Sequence, residues 1–142
     1  MIRFCQDSLR KRNRLQIEAR IIGDMCLNHV IPAAVRYQNI LIENVKGMKD
    51  IFGDDYLNYC ASEIETLKKI STYINNVSAD VEGLVEARKK ANRIEAIAER
   101  AKVYSYEVKD MMEKVRVSAD NLEMLIDDEV WPLPKYRELL FF

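Results

Sequence analysis

Turn formers are scarce in this sequence, with four glycines and three prolines among 142 residues. So few of them leave little material for tight turns, which points to long helices rather than many short elements. Histidine occurs once, at His29, so no site that needs several imidazoles can be assembled. Cysteine occurs three times, as Cys5, Cys26 and Cys60. An odd, widely spaced set is what reduced thiols in a cytosolic protein look like, not a disulfide framework. No uninterrupted apolar run approaches the roughly 20 residues of a membrane span. The start, MIRFCQDSLRKRNR, is charged and lacks the apolar centre of a signal peptide. A formal net charge of -1 argues against nucleic acid or an acidic membrane as the main partner. There is no glycine-rich phosphate loop and no dinucleotide fingerprint. A cytoplasmic location is expected.

What is present is a helical pattern. Hydrophobic residues make up 49% and charged residues 32% of the chain, enough apolar material for one domain to bury a core without metal or disulfide staples. A first helix is expected over about residues 6–52. Ile22, Met25 and His29 share a face, and Leu41 or Ile42, Val45, Met48 and Phe52 continue it. Pro32 lacks an amide hydrogen and disfavours helix at Ile31, so a kink or break is expected around 28–32. Gly53 suits the position just past a helix end, and Asp54 the cap of the next helix. The second helix, over 54–91, carries the clearest stripe: Cys60, Ile64, Leu67, Ile70, Ile74, Val77, Val81 and Leu84. Asn92 with Glu95 reads as a capping box for a third helix over 93–128, striped by Ile94, Ile97, Ala101, Tyr104, Val108, Met111, Val115, Leu122 and Leu125. WPLP stops it, leaving 129–142 as a short apolar tail. The expected fold is all-α, an elongated antiparallel three-helix bundle with a kinked first helix.

Candidate chemistry is thin. Cys26 and His29 are three apart on one helix and both could reach one ion, but a zinc site wants four ligands, or three and a water. His29 falls in phase with Ile22 and Met25, so a histidine satisfied within a helix interface is the better reading. A di-metal bundle site needs two Glu-x-x-His pairs, which one histidine cannot supply. Nucleophilic catalysis by Cys26 with His29 lacks an orienting group. Two basic stretches, RKRNR at 10–14 and ARKKANR at 87–93, have no interleaved aromatics and read as solvated faces or as partners of a neighbouring domain. Asp127, Asp128 and Glu129 oppose the dipole at a helix C-terminus. They are either solvated or paired with arginines across an interface. No catalytic, cofactor-binding or metal-ligating residue is assigned.

Three segments carry a family resemblance. HVIPAAVRYQNILIENVKGMKDIFG, then EARKKANRIE, then LIDDEVWPLPKYRELLF, in this order and at suitable distances, resemble the C-terminal part of type III glutamine synthetases, the large bacterial form. The resemblance runs from about Glu18 onward. It implies a parent enzyme that condenses glutamate with ammonia using ATP and a divalent metal such as magnesium, through a γ-glutamyl phosphate, in stacked hexameric rings. The residues for that chemistry lie upstream in the family, no position here matches them, and this chain alone is expected to be inactive. It implies a structural or assembly role, with the catalytic domain and neighbouring subunits as partners in a homo-oligomer. In that setting Trp131, Tyr136, Leu140 and Phe141 are expected to anchor the tail on protein surface. Alternatively the tail folds back and caps its own bundle. A different class of function, a free-standing helical adaptor that binds a protein partner, fits the same apolar tail and basic patches. A third reading has Arg36, Tyr37, Gln38 or Asn39 reach a neighbouring active site.

Overall fold

The computed structural model describes residues 2–131, and of Ile2, Phe4 and Cys5 the backbone alone. The described residues are all-helical, with no strand among them. Helix α1, Ile2–Met25, passes through a π-helical turn at Cys26–Val30 into α2, Ile31–Phe52. A 3₁₀ turn at Gly53–Asp55 and the four-residue α3, Tyr56–Tyr59, lead to α4, Ala61–Asn92. Helix α5, Ile97–Val103, enters a second π-helical turn at Tyr104–Val108 and continues as α6, Lys109–Glu123. Three helical runs result: 2–52, 61–92 and 97–123.

The first run does not break at Pro32. Proline removes the bond to the carbonyl four residues back and its ring crowds that carbonyl, here Asn28. Widening the preceding turn to π spacing over Cys26–Val30 accommodates this while the chain stays helical. The wider turn also resets which side chains face inward. In α geometry the residue three after Cys26 would follow it into the interface; in the π turn it is the fourth. Val30 is therefore buried at 2% exposure and His29 is exposed. The expectation that His29 is satisfied within a helix interface is corrected accordingly.

The connections also differ from expectation. Gly53 stands at the C-cap of α2 with φ 62° and donates its N–H to the Lys49 carbonyl, a left-handed conformation that favours glycine. Asp54, however, caps nothing. It lies in the 3₁₀ turn, and the long second helix starts only at Ala61, after a bend at Cys60. The Cys60 thiol donates to the Tyr56 carbonyl at 3.0 Å and is fully buried, tying the bend to the core. Asn92 and Glu95 form no capping box either. Asn92 closes α4, and Ala96 takes the N-cap position of α5 with no side-chain cap. The third run therefore spans 97–123, not 93–128, with turns after Glu123.

The core follows the stripes closely on the second run. Ile70, Val77, Val81 and Leu84 are at most 2% exposed, each such aliphatic contributing about 1.5–3 kcal/mol by burial. On the third run Tyr104, Val108, Met112, Val115 and Leu122 are buried, as is Ile126 in the turns that follow it. Met112 and Ile126 take places expected of Met111 and Leu125, which pack at the core's margin. The first run contributes mostly small residues, Ala19, Cys26, Val30 and Ala34, with Leu15. Between runs, Gln38 meets Ser71 and Gly23 faces Val81, while Asp80 meets Ser118 and Lys90 meets Glu107. Helix α6 packs on α4 and α1, whereas α2 packs mainly on α4 and the 53–59 connection.

Candidate docking surface

That packing leaves the far end of the first connection uncovered among the described residues. Ile51 is 75% exposed, Leu57 53% and Tyr59 58%, with Phe52 also exposed. Its side chains pack on one another. The rings of Phe52 and Tyr59 stack at 4.2 Å with 20° between planes, and Lys49 lies 5.6 Å over the Tyr56 ring. Gly53 supplies the sharp reversal that brings the two rings together. Large aromatic and aliphatic groups exposed together at a surface are what protein contacts are built from.

Below this tip a shallow groove of about 480 Å³ runs between α2 and α4, lined by Gln38, Ile42, Ile64, Leu67, Lys68, Ser71 and Thr72. Gln38 Nε2 donates to Ser71 Oγ at 2.7 Å across its floor. Gln38 thus serves packing between helices. Its neighbour Tyr37 packs on the core, and Arg36 and Asn39 are exposed without convergence on a pocket.

The tail candidates divide. Tyr136, Leu140 and Phe141 lie outside the described residues. Trp131 is 8% exposed and belongs to this chain's own core cluster together with Leu122 and Ile126. Its backbone N–H donates to the Asp127 carbonyl. Its indole Nε1 is buried without a partner among the described residues, an arrangement that buried tryptophans seldom show. Asp127 Oδ1 accepts the Glu129 N–H at 3.0 Å, a local turn beyond the end of the third run. Asp128 is exposed.

The residues that suggested chemistry from sequence do not make a site. Cys26 is buried, and desolvation pushes its thiol up to about 11, so it stays protonated and unreactive at neutral pH. His29 points away from it to solvent. The residues present do not fit a divalent metal: among the described residues no three His, Cys, Asp or Glu come together to hold one. No helix is long and apolar enough to cross a membrane among the described residues. The feature that sequence reasoning missed is the tip. Ile51, Leu57 and Tyr59 lie off the main stripes, and an exposed apolar residue beside a turn gives little periodic signal.

Similarity to known proteins is consistent across the chain. A family described as "Glutamine synthetase C-terminal domain" matches residues 10–49. A protein named "Glutamine synthetase" from Bacteroides fragilis (strain YCH46) is 46% identical over 129 residues, covering 90% of this chain and 18% of that protein. A "Type-3 glutamine synthetase" from Dictyostelium discoideum is 27% identical over 143 residues, covering 89% and 17%. A "Glutamine synthetase" from Butyrivibrio fibrisolvens is 27% identical over 127 residues, covering 89% and 18%. The chain spans less than a fifth of the length of these relatives.

Proposed function

We propose, from the premise that this chain belongs to the glutamine synthetase family as its C-terminal domain, that it is a non-catalytic helical domain with an assembly role in a type III enzyme. The parent reaction in this reading is the ATP-dependent condensation of glutamate with ammonia, with ATP and magnesium held elsewhere in the polypeptide. The domain's partners are the catalytic domain and neighbouring subunits of a cytoplasmic homo-oligomer. Its architecture is an elongated antiparallel three-helix bundle, with a bend in the first run at the Cys26–Val30 π turn. The type III assignment is supported by the Dictyostelium relative's name and by the order of the three resembling segments.

The observation that carries the assembly role is the tip: four large apolar side chains, Ile51, Phe52, Leu57 and Tyr59, stand exposed on a stacked, ordered frame. Covering them in a partner would bury apolar area that the isolated domain leaves in water. The test is Leu57→Gln with Tyr59→Ser in the full-length enzyme, read by light scattering behind size exclusion and by glutamine formation. Smaller assemblies and reduced activity are expected, while the 142-residue chain keeps its helix content. Intact assembly with unchanged activity would refute the role assigned to the tip.

A further inference from the structure

Helix α2 carries a second stripe that the bundle does not use. Tyr37 and Leu41 turn to the core. Ile40, Asn44, Gly47 and Ile51 lie on another side of the same helix, at steps of four, three and four. Ile40 is 52% exposed, Ile51 75%, and Asn44 is exposed too. Such steps are the spacing of a helix that meets another helix. Gly47 is an independent sign. Glycine weakens a helix interior relative to alanine, yet a side chain at Gly47 would meet nothing within 4 Å beyond its own helix backbone. The packing of the described residues does not ask for the missing side chain. A backbone approaching closely from outside does.

Steps of four, three and four read the same from either end. An antiparallel copy of α2, related by a two-fold axis between Asn44 and Gly47, therefore sets Ile40 against Ile51 of the other copy at both ends. In the middle it sets Asn44 against the other copy's Gly47, where the missing side chain makes room. The flanking charges choose the direction. In a parallel pair Arg36, Glu43 and Asp50 would each face their like. In the antiparallel pair Arg36 comes to the C-terminal end of the other α2, where the dipole favours a cation and the Gly53–Asp55 turn holds exposed Asp54 and Asp55. Neither Arg36 nor these two acids is in an ion pair among the described residues. Glu43 falls between Lys46 and Asp50 of the other copy, which offset each other, so the preference comes from Arg36.

We propose that the Ile40–Ile51 face of α2 pairs antiparallel with the same face of a second copy of this chain. The pairing rests on the assembly role and names one partner for it. The face is its own complement in spacing, in size and in the placing of Arg36 against the acidic turn, which selects a second copy over an unrelated helix. A pair of helix faces about 24 Å long is a small interface, so the isolated chain pairs weakly and the contact adds to others in the full enzyme.

The experiment is oxidative cross-linking of the 142-residue chain carrying Ile40→Cys and Ile51→Cys with Cys5→Ser; Cys26 and Cys60 are buried. The two introduced positions lie about 16 Å apart on one helix, beyond the roughly 7 Å between Cα atoms that a disulfide spans, so they bridge only between copies. At about 1 mM chain even a millimolar Kd leaves a large share paired. The double variant is expected to form covalent dimers about tenfold faster or more than either single variant. Gly47→Leu, for which this chain has room, should slow that reaction about tenfold with helix content kept. Arg36→Glu should slow it severalfold, and adding Asp54→Arg with Asp55→Arg should restore it. Equal rates in double and single variants, or a rate unmoved by Gly47→Leu, would overturn the pairing. So would an Ile40→Cys thiol shielded from alkylation in the monomer until residues 132–142 are removed, which would assign the face to the chain's own end. Leu57 and Tyr59 are untouched here, so a negative result leaves the test of the tip standing.

Discussion

The reach around Leu84 and Tyr104 and the end around Leu57 and Tyr59 are built from the same residue types, yet one is closed and the other open. Leu84 is 1% exposed and Leu57 53%. The difference comes from the number of runs that meet: α1, α4 and the second π turn all pack together near Tyr104, whereas α2 has mainly α4 and its own connection beside it. A pair of helices can stack two rings and make a groove, but it cannot bury both sides of each helix. The lesson is that helix content says nothing about where a helical protein is finished and where it is left to meet another surface.

The sharpest way to break this contrast is Leu84→Ala against Leu57→Ala in chemical unfolding of the isolated chain. The first should cost about 2–5 kcal/mol through lost burial and a residual cavity. The second, at an open surface, should cost roughly 0.5 kcal/mol or less. Equal losses would mean the tip is part of the core after all. Trp131→Ala asks to which region the end of the third run belongs. Its membership of the core cluster leads to a loss of about 3 kcal/mol, and an effect near that of Leu57→Ala would assign Trp131 to a partner's surface instead.

A smaller effect follows from pH. Burial raises the Cys26 thiol to about 11, and burial raises the Tyr104 phenol against the opposing influence of Arg88, the Asn92 hydrogen bond, Arg12 and Arg100. Groups whose folded pKa lies above the unfolded value stabilise the fold fully below the unfolded pKa and lose that contribution as pH rises. Stability should therefore be flat to about pH 9 and fall towards pH 11. Cys26→Ala should make that decline shallower even where it lowers stability throughout, and an unchanged slope would count against the buried thiol. The smallest effect belongs to Glu113→Gln. Its pair with Arg116 at 2.8 Å is half exposed on both sides, and a loss of only a few tenths of a kcal/mol is expected, shrinking further with salt.

Much of the fold was legible. The stripe from Cys60 to Leu84 repeats at steps of three and four, and its members Cys60, Ile70, Val77, Val81 and Leu84 are buried while Ile64, Leu67 and Ile74 are partly buried. The first run was legible in extent but not in facing. Its core residues are Ala19, Cys26, Val30 and Ala34, small groups that carry little hydrophobic contrast, and the π turn moved His29 out of phase. Capping was misread at Asp54, Asn92 and Glu95 because caps depend on where the preceding helix stops. Cys60 and the 93–96 connection decided that through tertiary contacts. The candidate surface was barely legible. Sequence pointed to Trp131 and the acids at 127–129, while the structure put Trp131 against its own core and Asp127 into a turn.

The sequence by itself determined that the protein is helical, that the second run carries an unbroken apolar stripe, and, through its three resembling segments, which family it belongs to. These are properties of local periodicity and residue identity, which need no neighbour in space. Only the tertiary structure decided that Pro32 is passed by a π turn, that Ile51, Phe52, Leu57 and Tyr59 are exposed among the described residues, and that the buried Tyr104 donates to Asn92 from a different helical run. Those depend on which runs pack against which, and contact between distant segments is not written into any one of them.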